Sequence, residues 1–224
     1  LSAMRTPFQV DAEYRDALLR AHARSGYGEA LVTGHETLRG TPVAVALSNF
    51  HFIGGSMEAV TGEKLARVAA FARSERMPLV SVSCSGGACM QEGTLALLQM
   101  AKVNLVLIQL AEAGIPFISV IASPTMGGTL ASYITQGAVI LAEPRAQVSF
   151  AGPRVVRLAG IRLPEYAIRA EFLRERGGIH EVCPRKEMRT RIAHYLDFYR
   201  ATAPRSRHAA DRSEPDSGAR ARAS

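Results

Sequence analysis

Pro78-Leu79-Val80-Ser81-Val82-Ser83-Cys84-Ser85-Gly86-Gly87-Ala88-Cys89-Met90-Gln91-Glu92-Gly93 sets the architecture of this chain. Residues 79–83 read as a short buried strand, and the Gly86-Gly87 pair breaks it. From Ala88 to Ala113 the residues favour helix and are apolar almost all round, which predicts a buried helix. A strand that ends on a glycine pair and opens into a helix presents backbone N–H groups at the helix N-terminus. Those donors and the helix dipole suit an oxygen carrying negative charge. Glycine lets the main chain approach a ligand with no Cβ in the way. One reading is therefore an oxyanion hole made by Gly86 and Gly87. The other is a plain strand-to-helix turn of any α/β protein.

A second copy of the arrangement lies downstream. Residues 116–122 are another β-branched strand, running into Ser123-Pro124-Thr125-Met126-Gly127-Gly128 and a small-residue helix start. Two such turns on neighbouring strands would line one pocket. A third pair, Gly54-Gly55, precedes a helix over residues 57–74. Beside it, His51 between two phenylalanines reads as structural or as a base. Glu58 and Glu63 fall in the first turns of that helix, where acids suit the dipole.

The 224 residues, 47% of them hydrophobic, suffice for one large core, and eight Phe, six Tyr and no Trp make it mainly aliphatic. No signal peptide is visible, and no apolar run reads as a membrane span; residues 103–113 come nearest. Cys84, Cys89 and Cys183 form neither a disulfide framework nor a zinc site, which fits a reducing cytoplasm. Cys84 and Cys89 flank the glycine pair, as small buried residues or as a nucleophile. The net charge of +7 is uneven. Residues 201–224 hold five arginines among Ala, Ser, Pro and Asp, and read as a disordered basic tail. The body is only mildly basic, which suits a phosphate-bearing small molecule. No aromatic-rich basic strand points to RNA, so no nucleic-acid partner is expected.

Three units are expected: an N-terminal helical segment (1–24), the main domain (25–200) and the tail (201–224). In the first, residues 11–23 are amphipathic, with Tyr14, Leu18 and Ala21 on one face. Residues 30–33 and 42–47 predict a hairpin. After the second glycine turn come short strands at 139–141 and 147–150, helices at 155–158 and 164–176, a strand at 179–182 and a final amphipathic helix at 187–200. Strands alternating with helices imply βαβ crossovers. No Gly-x-Gly-x-x-Gly follows a strand and no Walker loop is present, so dinucleotide and P-loop sites are excluded.

Residues 83–92 (Ser-Cys-Ser-Gly-Gly-Ala-Cys-Met-Gln-Glu), Gln99-Met100-Ala101-Lys102, Pro124-Thr125-Met126-Gly127-Gly128, Ala142-Glu143-Pro144-Arg145 and Phe150-Ala151-Gly152-Pro153-Arg154-Val155 appear in one order. Phe52-Ile53-Gly54-Gly55-Ser56-Met57, Glu171-Phe172-Leu173 and Glu187-Met188-Arg189 join them. The set resembles the carboxyltransferase β subunit of bacterial acetyl-CoA carboxylase, from about Tyr14 to Leu196. The resemblance implies a single crotonase-like ββα-superhelix domain of the α/β class. It implies a carboxyltransferase α subunit as partner in an α2β2-like assembly, and a biotin carboxyl carrier protein that brings carboxybiotin. The carboxyl group passes to acetyl-CoA, or another acyl-CoA, giving malonyl-CoA. The chain alone is then inactive.

Under the resemblance Gly86 and Gly87 are the catalytic donors to the thioester oxygen. Ser85, Gly54, Gly55, Met126, Gly127, Gly128 and Gly152 line the acyl site. Arg145 and Arg154 fit CoA phosphates or a solvated surface. Three departures stand out: the family's N-terminal four-Cys zinc ribbon is missing, so no zinc is expected in this chain; Cys89 replaces an Arg; Ser123 replaces an Asp. Two other readings stay open. One is a non-catalytic or specialised paralogue that scaffolds an α-type partner. The other is a stand-alone crotonase-type hydratase or decarboxylase, for which Glu92 and Glu143 are the near carboxylates.

Overall fold

The computed structural model describes residues 11–202. Residues 1–10 and nearly all of the expected basic tail lie outside the described residues. The first helix, α1 (Ala12–Ser25), is capped by Asp11, whose carboxylate accepts the Tyr14 N–H at 2.6 Å. Its buried face is Tyr14, Leu18 and Ala21, as the periodicity predicts. Strands β1 (Leu31–Leu38) and β2 (Thr41–Ser48) form an antiparallel hairpin about Arg39-Gly40, so β1 extends well past the expected residue 33.

From β2 onward the sheet is parallel. Helix α2 (Ala59–Ser74) leads to β3 (Leu79–Ser85), and α3 (Thr94–Glu112) leads to β4 (Phe117–Met126). The short α4 (Gly127–Ala131) precedes β5 (Val139–Ala142) and β6 (Val148–Ser149). Then come α5 (Pro153–Leu158), α6 (Ala170–Glu175), β7 (Glu181–Val182) and α7 (Arg185–Thr202). The sheet order is β1-β2-β3-β4-β5-β7, with β6 pairing with the far end of β4. The predicted helix over 164–176 is broken: a 3-10 turn over Glu165–Ile168 is separated from α6 by Arg169, which is extended and bridges to Gln147.

Side chains alternate across the central strands and feed two cores. Leu79, Phe117 and Ile121 face Leu65 and Val68 of α2 and Val103, Leu107 and Leu110 of α3. Val80, Ile118 and Val120 face Met188, Ile192 and Leu196 of α7. Helices on both faces explain why β3 and β4 are apolar on both sides.

Helix α3 corrects two expectations. It starts at Thr94 rather than Ala88, because residues 88–93 form a bridge to Met57 and a 3-10 turn. It is also not buried all round: Leu97, Leu98, Leu105 and Ile108 are exposed. Its 19 residues are long and apolar enough to cross a membrane, by length and composition alone. That overturns the expectation that no run qualifies. Here its other face packs on α2, and Lys102 pairs with Glu63.

Candidate active site

Strands β3 and β4 end side by side, and each runs straight into its glycine pair. After a shift in register, Ser85 stands opposite Thr125. The Ser85 hydroxyl lies 2.8 Å from that of Thr129 in α4, tying the two turns together. Gly87 has φ +116, and a Cβ there would lie 3.4 Å from Gly127 Cα. A Cβ on Gly127 would lie 3.3 Å from Gly87 Cα. The two turns therefore meet main chain to main chain, and both glycines have a positive φ that favours glycine.

The third pair joins them. Gly54 O accepts the Gly86 N–H at 2.9 Å, and a Cβ on Gly55 would overlap the Cys84 carbonyl. The Met57 N–H donates to Gly87 O at 2.8 Å, and the Cys89 N–H donates to Met57 O at 2.9 Å. These bonds stitch the 86–93 loop to the approach of α2. On the other side, a Cβ on Gly152 would touch Met126 Sδ at 3.4 Å. So Ser85, Gly54, Gly55, Gly86, Gly87, Met126, Gly127, Gly128 and Gly152 form one cluster.

The role expected of Gly86 and Gly87 is corrected. Their N–H groups are both used inside the chain, Gly86 to Gly54 O and Gly87 to Ser85 Oγ at 3.1 Å. The reason is the late start of α3: without a helix at Ala88, the loop finds acceptors in its neighbours. Two other amide nitrogens lie beside the same contact. The Ala88 N–H has no acceptor among the described residues, and a Cβ on Gly128 would lie 3.7 Å from it. The Gly128 N–H is in the first turn of α4, where no intrahelical acceptor exists.

Among the described residues no side chain supplies a base at the cluster. His51 is exposed, and its backbone N–H donates to Asn49 Oδ1. Glu143 is bound by Arg185, with Nη2 at 3.0 Å. Burial pushes the Cys84 thiol up to about 11, helped by Glu143, and burial also raises Cys89, so neither is a thiolate near neutral pH. Cys89 is buried as expected, whereas Cys84 is partly exposed. Arg145 sits apart from the cluster, on a groove of about 690 Å³ with Pro144, Glu165, Tyr166 and Arg169. Its N–H donates to Glu171 at 2.7 Å, and its carbonyl accepts from Arg169 at 3.0 Å. Arg154 lies on α5, and its side chain is outside the described residues.

Sequence reading missed the grouping behind the loop. Glu58 is fully buried and, with Glu92, reaches the Tyr14 hydroxyl. Glu58 does not cap α2 with its own carboxylate. Glu92, from 33 residues away, accepts the Ala59 N–H at 2.6 Å instead. The inward position of Tyr14 was the one available signal.

The glycine turns pack against each other at the ends of parallel strands, and among the described residues no side-chain base stands beside them. The chain belongs to the carboxyl transferase domain family, whose profile matches residues 8–163. It is 44% identical over 187 residues to acetyl-coenzyme A carboxylase carboxyl transferase subunit beta 1 of Roseiflexus castenholzii, covering 83% of this chain and 63% of that protein. The chain thus spans under two thirds of that relative's length. The 12S transcarboxylase bound to methylmalonyl-coenzyme A superposes with a TM-score of 0.68 at 27% identity, over 76% of this chain and 34% of that one. A malonate decarboxylase hetero-dimer from Pseudomonas shares the fold, with a TM-score of 0.68 at 24% identity over 88% of this chain and 90% of that one. The fold is crotonase-like.

Proposed function

We propose that this chain is the acyl-CoA half of a biotin-dependent carboxyltransferase, the β-type subunit of an acetyl-CoA (acyl-CoA) carboxylase that forms malonyl-CoA. Its partners in this reading are an α-type subunit and a biotin carrier protein. The observation that carries it is the contact between Gly86-Gly87 and Gly127-Gly128. There main chain meets main chain, Gly87 and Gly127 both have positive φ, and the Ala88 and Gly128 amide nitrogens lie beside the contact, which suits a carbonyl oxygen.

The residues divide the work as follows. The Ala88 and Gly128 N–H groups hold the thioester oxygen as it becomes negative, since donors placed in advance cost nothing to reorganise. Gly86 and Gly87 act at one remove, by allowing close approach and by fixing the loop. Ser85 locks β3 to α4 through Thr129. Arg145, which makes no ion pair among the described residues, offers its guanidinium to CoA phosphates along the groove it shares with Tyr166 and Arg169. The chemistry supplied by a bound carboxybiotin is the carboxyl group together with a nitrogen that takes up the substrate proton. That fits a cluster with no base of its own.

The purified chain is expected to give no malonyl-CoA by itself. With an α-type subunit and a carboxybiotin donor, turnover should appear. Measuring malonyl-CoA release with and without the partner checks this. Hydration of an enoyl-CoA by the lone chain would sink the reading.

A further inference from the structure

A buried acid pair behind the glycine loop has no part in the reaction above. Glu58 is fully buried and Glu92 is 8% exposed. Each has an oxygen 3.1 Å from the Tyr14 hydroxyl. A phenol carries one proton, so it donates to one of the two carboxyl groups. The other contact becomes a hydrogen bond only if that carboxyl brings a proton of its own.

The surroundings decide which one does. Glu92 Oε2 accepts the Ala59 N–H at the start of α2, where an anion is favoured. Glu58 Oε1 has no hydrogen bond of ordinary geometry, and burial together with the charge of Glu92 outweighs the Tyr14 hydroxyl and the Ala30 main chain, which favour the charged form. Around Glu58 the titratable groups are Tyr14 from α1, Glu92 and Cys89 from the loop, and Glu29 from the segment before β1. Glu29 is itself paired with Lys64 at 2.9 Å, and among the described residues no cation pairs with Glu58. A buried carboxylate with no cation and an unfilled oxygen is costly, and a neutral acid there is not.

We propose that Glu58 and Glu92 share one proton through Tyr14, and that this closed unit positions the 86–93 loop against α1 and α2. Protonated Glu58 donates to the Tyr14 oxygen, and the Tyr14 hydroxyl donates to ionised Glu92. Glu92 in turn holds Ala59, two residues after Met57, whose backbone grips both Gly87 and Cys89. Cys89 completes the pocket as a small thiol, 3.5 Å from the Tyr14 oxygen. These are positioning residues: they act on the glycine turns through the loop.

Burial, and then the charge of Glu92, raise the Glu58 carboxyl to about 8. An unfolded glutamate titrates near ~4.3. An acid raised in the folded state adds stability that is complete below the unfolded value. The addition is lost step by step as pH rises to about 8, and stays lost above it.

The test reads stability, so it stands or falls apart from the acyl-CoA reading. The full chain and its Glu58→Gln variant are unfolded in denaturant across pH 5.5 to 8, and exchange protection of the Cys89 amide is followed alongside. Glutamine donates to Tyr14 as the protonated acid does, so the variant should fold. Across that range the unfolding constant of the parent should rise at least ~10-fold more than that of Glu58→Gln. Parallel profiles would overturn the proposal. If Glu58→Gln does not fold, Tyr14→Phe decides. It should lower Cys89 protection at pH 6, and unchanged protection there would overturn the proposal equally.

Discussion

A Gly55→Ala variant is expected to lose roughly 4 kcal/mol of stability, a large part of the margin of an ordinary domain. Two costs add. Gly55 has φ +62, and an L-residue held there costs about 1–3 kcal/mol. The new Cβ would also overlap the Cys84 carbonyl oxygen, with the carbonyl carbon at 3.2 Å and Ser85 Cα at 3.4 Å. Forcing atoms into a packed site costs about 1–3 kcal/mol more. The usual relief, a side chain swinging aside, is absent because the obstacle is backbone of β3, a strand paired on both sides. Gly54 is the control. Its φ is +63, but nothing lies within 4 Å of the Cβ position, so Gly54→Ala should cost only about 1 kcal/mol. Denaturant unfolding of the two variants checks the contrast. Equal losses would mean that close approach to β3 is not what Gly55 serves.

Those neighbouring glycines also mark the limit of reading from sequence. A run of Gly-Gly before a helix is visible in the chain, and so is its repetition after β4. The contact between Gly87 and Gly127 depends on β3 and β4 being neighbours, which no local pattern encodes. The central strands were legible because Leu79, Val80, Phe117 and Ile118 are apolar on both faces, and helices cover both. The amphipathic faces of α1 and α7 were legible for the same reason. The start of α3 was not. Ala88 to Glu92 have good helix propensity, but their backbone bonds go to Met57 and into a tight turn, so tertiary pairing overrides propensity. The exposure of α3 was hidden too, since composition reports how apolar a helix is and not how much of it the fold covers. Glu92 capping a helix that begins at Ala59 is the extreme case: donor and acceptor are far apart in sequence, and each looks ordinary alone.

Turnover in the reconstituted enzyme is expected to fall ~10²-fold or more in Gly128→Ala, with the fold retained. The oxygen of a thioester enolate needs room between the Ala88 and Gly128 amides. A Cβ on Gly128 would stand 3.5 Å from Ala88 Cβ and 3.7 Å from Ala88 N, against the Ala88 amide. Displacing one donor from such an oxygen costs ~10²–10³ in rate. Stability should change little. The only close obstacle is Met100 Sδ at 2.7 Å, and a thioether at the end of an unbranched side chain can move away. Gly128 also lies in a helix, outside the left-handed φ region, where alanine is the better former. The double variant Met100→Ala with Gly128→Ala separates the two effects. It removes the sulfur obstacle, yet leaves the methyl group against the Ala88 amide, so turnover should stay low. Recovery of turnover in the double variant would show that Met100 had been pushed into the site. Normal turnover in Gly128→Ala alone would remove both amides from the chemistry, and with them the role assigned to the glycine cradle.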